Sequence, residues 1–278
     1  MPSLARPASL DEALGALRAE PAARPVAGGV GLLLRAAFGE SLPDHVVAVG
    51  RLPELRSIEP ERDGVRIGAA VTLAELARSQ IVRVRAPLLA AAAEAAANPG
   101  VRTTATLGGN LLDRPGASDL VATALALDAE VVSADERAEA THTLRSLLET
   151  RAANADHPPR LLLVAIVVPR ADRWGFERLT TRGAGDRPAA TVAMSFSGSG
   201  ERSTVAAWAT WIADRPVPLV KAGRAVLDGA PDAALRAAVD EDLDGLAMAD
   251  DLRATAAYRR RVLPVLVRRA FEAARARG

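Results

Sequence analysis

The sequence predicts an α+β fold in two parts, with a boundary close to residue 172. Helical and strand patterns alternate in residues 1–172, whereas residues 173–278 show a run of strands followed by helices. The length of 278 residues also favours two domains over one. Hydrophobic residues make up 49% of the chain but aromatic residues only 3%, so we expect a core of small aliphatic side chains.

Polar capping residues mark the helix starts in the first part. Ser9 with Glu12, and Thr72 with Glu75, have the spacing of a capping box, in which each side chain bonds the other residue's backbone N–H. The pair Ser118-Asp119 is typical of a third helix start. Further helices are expected over 30–35 and 87–97, and strands over 24–27, 45–49, 65–69 and 129–133. Residues 101–110 fit neither pattern.

The second part follows an apolar strand pattern at 161–168. Strands are predicted over 175–181, 191–197 and 205–212, and helices over 217–227, 232–239 and 256–275. The basic run Arg259-Arg260-Arg261 is interpreted as a solvent-exposed part of the last helix. We therefore expect a small antiparallel sheet and then helices.

Composition excludes several classes of function. The chain has 35 Lys and Arg against 34 Asp and Glu, a balance that gives no reason to expect nucleic acid as a partner. It contains no cysteine, which excludes disulfides, thiolate-bound zinc and an iron–sulfur cluster ligated by this chain. The three histidines, His45, His142 and His157, are widely separated, so we interpret them as surface or turn residues and predict no metal site.

The sequence gives no sign of export or of a membrane span. The N-terminus lacks the apolar stretch of a signal peptide. The strongest apolar run, residues 161–168, is far shorter than the ~20 residues that a membrane-spanning helix needs. We expect a cytoplasmic protein.

Two glycine pairs are candidates for ligand binding. Gly28-Gly29 lies between a predicted strand and a predicted helix, where backbone N–H groups can approach a phosphate or pyrophosphate. It matches neither the dinucleotide fingerprint nor the P-loop, and taken alone a structural turn is the favoured interpretation. Gly108-Gly109 lies between Thr106 and Asn110, so backbone donors, a hydroxyl and a carboxamide are close together. This combination suits a flat polar ligand, although a tight turn explains it equally well.

Six features in order resemble the FAD-binding subunit of molybdenum hydroxylases, a family that includes carbon monoxide dehydrogenase, xanthine dehydrogenase and hydroxybenzoyl-CoA reductase. They are Ala27-Gly28-Gly29, Leu52-Pro53-Glu54-Leu55, Ile67-Gly68-Ala69 with Thr72, Arg102 through Asn110, Ser118-Asp119 through Ala129, and Phe176-Glu177-Arg178 with Arg182 and Asp186. Each motif alone is weak. Their common order over nearly the whole chain is specific.

The resemblance implies a fold and a set of cofactor-binding residues. Residues 1–172 would form a vanillyl-alcohol-oxidase-like (PCMH-type) FAD-binding domain of two α+β subdomains with FAD between them, and residues 173–278 the family's C-terminal sheet-and-helix domain. Backbone N–H groups of Gly28, Gly29, Val30, Gly31 and Leu32 would hold the pyrophosphate. Thr106, Leu107, Gly108, Gly109 and Asn110 would lie against the flavin and phosphates, Asp119 would hold the adenosine, Leu162 would lie near the isoalloxazine, and Arg178 stands where the family often has lysine.

The sequence departs from the family pattern at four of these positions. Val30-Gly31 replaces a polar pair, which removes side-chain hydrogen bonds worth about 1–3 kcal/mol each to a charged acceptor. Thr103 and Ala105 stand where the family usually has asparagine and glycine. We expect strain at Ala105 if that position needs a positive φ.

The function implied by the resemblance is electron transfer. Electrons would arrive from a partner iron–sulfur subunit, itself fed by a molybdenum-cofactor subunit, and FAD would pass them to NAD, a quinone or oxygen. The redox chemistry belongs to the flavin in such a design, so no general acid, base or nucleophile is named. Assembly into a homo- or hetero-oligomer is part of this expectation. Two alternatives stay open, a stand-alone flavoenzyme acting on a small organic substrate and a non-catalytic interaction subunit that has lost FAD.

Overall fold

The fold was established from a computed structural model of the 278-residue chain. The structure describes residues 3–135, 138–154, 161–181, 183, 185–198 and 204–277. Two residues singled out in the sequence, His157 and Arg182, lie outside this range. Within the described range, no helix is both long enough and apolar enough to cross a bilayer.

The chain begins with a small parallel sheet of order β1-β3-β2, made of Ser3–Ala5, His45–Ala48 and Arg24–Val26. Helices α1 (Leu10–Ala19) and α2 (Val30–Ala37) connect these strands, as parallel pairing requires. Ser9 caps α1 as predicted, because its hydroxyl accepts the Glu12 N–H at 3.2 Å. The Glu12 carboxylate, however, accepts the N–H of Ala8 instead of that of Ser9, so the predicted capping box is only half formed.

A second, antiparallel sheet of five strands has the order β4-β5-β8-β6-β7. Its strands are Ile58–Glu61 (β4), Gly64–Gly68 (β5), Glu130–Ala134 (β6), Glu139–Thr143 (β7) and Leu162–Pro169 (β8). The helices between them are Leu73–Arg78 (α3), Gln80–Arg85 (α4), Pro87–Ala95 (α5), Pro99–Arg102 (α6), Leu107–Leu112 (α7), Asp119–Ala126 (α8) and Leu144–Ala153 (α9). The β4 strand, the β7 strand and α9 were not expected from the sequence.

A third sheet of four antiparallel strands has the order β12-β11-β10-β9. Its strands are Arg173–Leu179 (β9), Ala190–Ser197 (β10), Thr204–Thr210 (β11) and Val217–Pro218 (β12). Helices Val220–Leu227 (α10), Asp232–Asp242 (α11) and Ala256–Arg275 (α12) complete the chain. The predicted order of a small antiparallel sheet followed by helices is confirmed.

The buried side chains form three clusters that are rich in alanine, valine and leucine, as the composition predicts. The largest lies between the second sheet and helices α3 to α9 and includes Ala193 and Trp208 of the third sheet. Sheet membership changes between β8, which ends at Pro169, and β9, which begins at Arg173. The domain boundary at residue 172 falls in this interval and stays a prediction.

Two further expectations from the sequence are wrong. Residues 101–110, which fit neither pattern, contain the end of α6 and the start of α7. Arg259 is not solvated but fully buried, and its guanidinium donates to the carbonyl oxygens of Ala189, Ala249 and Ala254 and to Asp251. A charged group without water needs such a complete set of acceptors.

Candidate functional site

The first glycine pair forms the entrance to α2. Gly29 is the N-cap of this helix with φ of +69°, a left-handed conformation that favours glycine, and no side chain caps the helix. The N–H groups of Val30, Gly31 and Leu32 form the first turn, which has no intrahelical acceptors. These residues are half-exposed. The turn therefore presents open donors and the positive end of the helix dipole, the arrangement that binds phosphate groups.

Gly28 brings the first glycine loop against the second. A Cβ at this position would lie 1.9 Å from the carbonyl oxygen of Thr104 and 3.4 Å from the Cα of Ala105. Only glycine permits so close an approach of the two backbones. The first glycine pair and the segment that precedes the second are thus in direct contact.

The second glycine pair lies inside α7 and differs from the expectation. Thr106 caps this helix by accepting the Gly109 N–H at 3.3 Å. The N–H of Leu107 bonds Val71 at 2.9 Å, and the N–H of Gly108 bonds the carbonyl of Ala69 at 2.8 Å. The expected backbone donors of this segment are therefore already used within the protein.

What this segment offers a ligand is its exposed end. Gly108 is packed between Ala69 and Leu163, but Gly109 is exposed and Asn110 is half-exposed. The Asn110 side-chain amide donates to the carbonyl of Thr106 at 2.9 Å, so its NH2 group is partly used within the protein. A flat ligand can lie against the bare backbone of Gly109.

The capping box of α3 holds this segment in place. The Thr72 N–H donates to the Glu75 carboxylate at 2.8 Å, and the Glu75 N–H donates to the Thr72 hydroxyl at 3.2 Å, as predicted. Thr72 forms a β-bridge with Thr106, and the N–H of Leu73 bonds Ala105 at 2.9 Å. Burial acts to raise the pKa of Glu75, but the bonds from Thr72 and the charge of Arg56 outweigh it and lower that pKa. The Glu75 carboxylate of the capping box therefore stays ionised at neutral pH.

Asp119 and Arg178 contact each other in a buried ion pair. The Arg178 Nε donates to Asp119 Oδ2 at 2.9 Å, and both side chains are almost fully buried. Thr191 Oγ1 at 2.6 Å and Trp211 Nε1 at 2.9 Å donate to the other carboxylate oxygen. Arg178 also donates to the carbonyl of Asp186. The pair thus ties α8 to the third sheet.

This arrangement gives Asp119 a structural role that the sequence did not reveal. Three internal donors satisfy the carboxylate without an adenosine, so the adenosine role stays a prediction. Trp211, one of the donors, has φ of +68°, which is unusual for a bulky residue, and its N–H bonds the carbonyl of Gly116 at 2.6 Å. The strained turn at Trp211 therefore belongs to the same packing unit.

Leu162 lies on β8 in the third buried cluster, together with Val47 and Val49. Its neighbour Leu163 points to the other face of the sheet and reaches within 3.4 Å of the Cβ position of Gly108. Leu162 is therefore on the side of its sheet that packs against α1 and the small parallel sheet. Its place beside the isoalloxazine stays a prediction.

The departures from the family pattern have packing explanations. Ala105 is not among the residues with positive φ, so the expected strain is absent there. Val30 packs against the largest buried cluster. At Gly31, a Cβ would lie 2.1 Å from Asp113 Oδ2, so a side chain at this position would collide with that carboxylate. Asp113 is in turn paired with Arg35. Sequence reasoning missed this pair because its members are 78 residues apart.

Comparison with known proteins identifies the family of this chain. The family described as FAD binding domain in molybdopterin dehydrogenase matches residues 2–171. The carbon monoxide dehydrogenase medium chain of Hydrogenophaga pseudoflava is 32% identical over 289 residues, which cover 98% of this chain and 96% of that protein. The nicotine 6-hydroxylase medium subunit of Paenarthrobacter nicotinovorans is 29% identical over 276 residues, covering 98% and 97% of the two chains.

A solved structure gives the same result. In carbon monoxide dehydrogenase from Hydrogenophaga pseudoflava, in the form that lacks the Mo-pyranopterin moiety of its molybdenum cofactor, one chain matches with a TM-score of 0.87 at 30% identity. The match covers 99% of this chain and 98% of that one. The chain therefore belongs to the FAD-binding medium subunits of the carbon monoxide dehydrogenase and xanthine dehydrogenase type of molybdenum hydroxylases, and it is an FAD-dependent oxidoreductase subunit.

Proposed function

We propose that this chain is the electron-transfer subunit of a molybdenum hydroxylase complex. Residues 1–172 would form a PCMH-type domain that holds FAD between its two subdomains. The pyrophosphate would bind at the first turn of α2, over Gly28 to Leu32. The flavin side would lie against Gly109 and Asn110.

The open N-terminus of α2 carries this proposal. Gly29 leaves the first turn uncapped, and Gly28 presses that turn against the segment before α7. A half-exposed helix end without a capping side chain normally has its donors satisfied by water or by a ligand. An anionic ligand at this end gains both the hydrogen bonds and the dipole.

The partners follow from the chemistry that this chain lacks. FAD supplies the redox chemistry when bound, and the protein supplies position and electrostatics. The chain has no cysteine, so an iron–sulfur donor must come from another subunit. The relatives are named as medium chains or medium subunits, which fits a complex with an iron–sulfur subunit and a molybdenum-cofactor subunit. NAD, a quinone or oxygen would take the electrons.

A glycine substitution tests the cofactor site. In Gly28→Ala the new Cβ collides with backbone atoms of Thr104, so the two glycine loops must separate. We expect the Kd for FAD to rise at least about tenfold, the scale of an overpacking cost of about 1–3 kcal/mol. Gly15→Ala is the matched control, because a Cβ at Gly15 meets no atom within 4 Å. Titration with FAD, followed by fluorescence quenching, measures the Kd of both variants.

The electron route is tested separately with the wild-type chain. The purified protein should release close to one FAD per chain on denaturation, and its reduced flavin should be reoxidised by one of the three acceptors in stopped-flow absorbance. Purification from the native host should recover two further subunits. A colourless chain that also fails to bind added FAD would remove the basis of the proposal.

A further inference from the structure

The side of α2 that carries Gly31 and Arg35 is in contact with Asp113. These two residues are four apart and therefore share one face of the helix. Arg35 Nη1 bonds Asp113 Oδ1, and the Arg35 Nε lies 3.2 Å from Glu40 Oε2. Asp113 follows α7 directly, so this ion pair connects the helices that begin at the two glycine motifs.

The Asp113 carboxylate fills the space of a side chain at position 31. The Cβ position of Gly31 lies 2.1 Å from Asp113 Oδ2 and 3.3 Å from Oδ1. Glycine at 31 is thus the residue that leaves room for this carboxylate. A negative group consequently lies beside the first turn of α2, where the pyrophosphate is proposed to bind.

The charge of the Asp113 carboxylate determines its effect on pyrophosphate binding. A carboxylate beside a doubly charged pyrophosphate opposes its binding unless a cation offsets it. Arg35 is the cation that the structure places on Asp113, and both side chains are 32% exposed. Solvent and the ligand can therefore reach the pair.

We propose that Arg35 is a positioning residue for FAD, which offsets Asp113 and so keeps the first turn of α2 open to the pyrophosphate. This inference rests on the proposed function. Removing the cation and removing the anion must then affect FAD binding in opposite directions.

The test compares three variants by fluorescence quenching titration with FAD. Arg35→Met leaves Asp113 uncompensated, and we expect the Kd to rise about tenfold, the scale of one partly screened charge interaction. Asp113→Asn should lower the Kd, because it removes the carboxylate that opposes the pyrophosphate. The double variant should return close to the wild-type Kd, and the effect of Arg35→Met should shrink between 50 mM and about 500 mM salt, since screening weakens exposed charges.

Two controls separate this role from a simple tie between helices. Arg224→Met breaks a similar exposed ion pair with Asp228 on α10 and should not change the Kd. A merely structural tie predicts that Arg35→Met and Asp113→Asn weaken FAD binding alike and lower the melting temperature alike, and that result would overturn the inference. Equal Kd values in all variants would also overturn it. Wild-type protein that binds no FAD would instead defeat the proposed function.

Discussion

The buried carboxylate of Asp119 gives the sharpest test of how this fold is held together. Asp119→Asn preserves the shape of the side chain but removes the carboxylate charge that faces Arg178 in a nearly dry site. Breaking a buried pair in this way costs about 3–5 kcal/mol, because the remaining charge stays desolvated. Thr191 and Trp211 can still donate to the amide oxygen, so we expect the lower end of that range.

Urea unfolding followed by circular dichroism measures this loss. Thr191→Val removes one donor to the carboxylate and should cost about 1–2 kcal/mol. The double variant Asp119→Asn with Arg178→Met should be more stable than Asp119→Asn alone, since the buried cation is removed together with the carboxylate charge.

FAD titration of the folded Asp119→Asn protein distinguishes the two roles of this residue. A structural carboxylate predicts an unchanged Kd, whereas an adenosine ligand predicts a weaker one. A loss of stability below about 1 kcal/mol, combined with weaker FAD binding, would refute the structural argument and favour the adenosine role.

Two further perturbations test a half-buried and a buried charge. Burial raises the pKa of Glu177, although Arg269 and Arg277 act to lower it. Ionisation of the Glu177 carboxyl therefore destabilises the fold as the pH rises above its pKa in the unfolded chain, about 4.3. Glu177→Gln should therefore have a higher melting temperature than wild type at pH 7 and lose this advantage below about pH 4. Equal melting temperatures at pH 7 would show that ionised Glu177 does not destabilise the fold. Arg259→Met removes the guanidinium donor from the carbonyl oxygens of Ala189 and Ala249, whereas the Ala254 carbonyl and the Asp251 carboxylate keep other donors. It should cost about 3 kcal/mol or more, and the exposed Arg261→Met should change urea unfolding little.

Local signals predicted much of the fold, because the interactions that decide a helix start lie within a few residues. Thr72 with Glu75, and Ser118 ahead of α8, are examples. The β7 strand was missed because all of its residues are exposed and show no apolar alternation. The α7 helix was missed because its two glycines are poor helix formers, and burial of Leu107 and Leu111 stabilises it instead.

The contacts that define the site are mostly long-range, and the sequence carries little trace of them. The three donors to Asp119 lie 59, 72 and 92 positions away from it in the sequence. The burial of Arg259 is the exception, since it precedes Leu263 by four residues and Leu266 by seven and so shares their buried face. The helical period could have located this arginine, but only a structure could supply its acceptors.

The same long-range contacts weaken the argument that the flavin site has decayed. That alternative depends on Val30, Gly31 and Ala105, which replace polar or flexible residues of the family pattern. Ala105 has no positive φ, Val30 packs against the core, and the space beside Gly31 is filled by Asp113. A decayed site would have no reason to keep an uncapped helix start pressed against a second glycine motif. The packing at these positions therefore gives no sign of decay, and the opposite effects expected for Arg35 and Asp113 test whether the proposed site holds FAD.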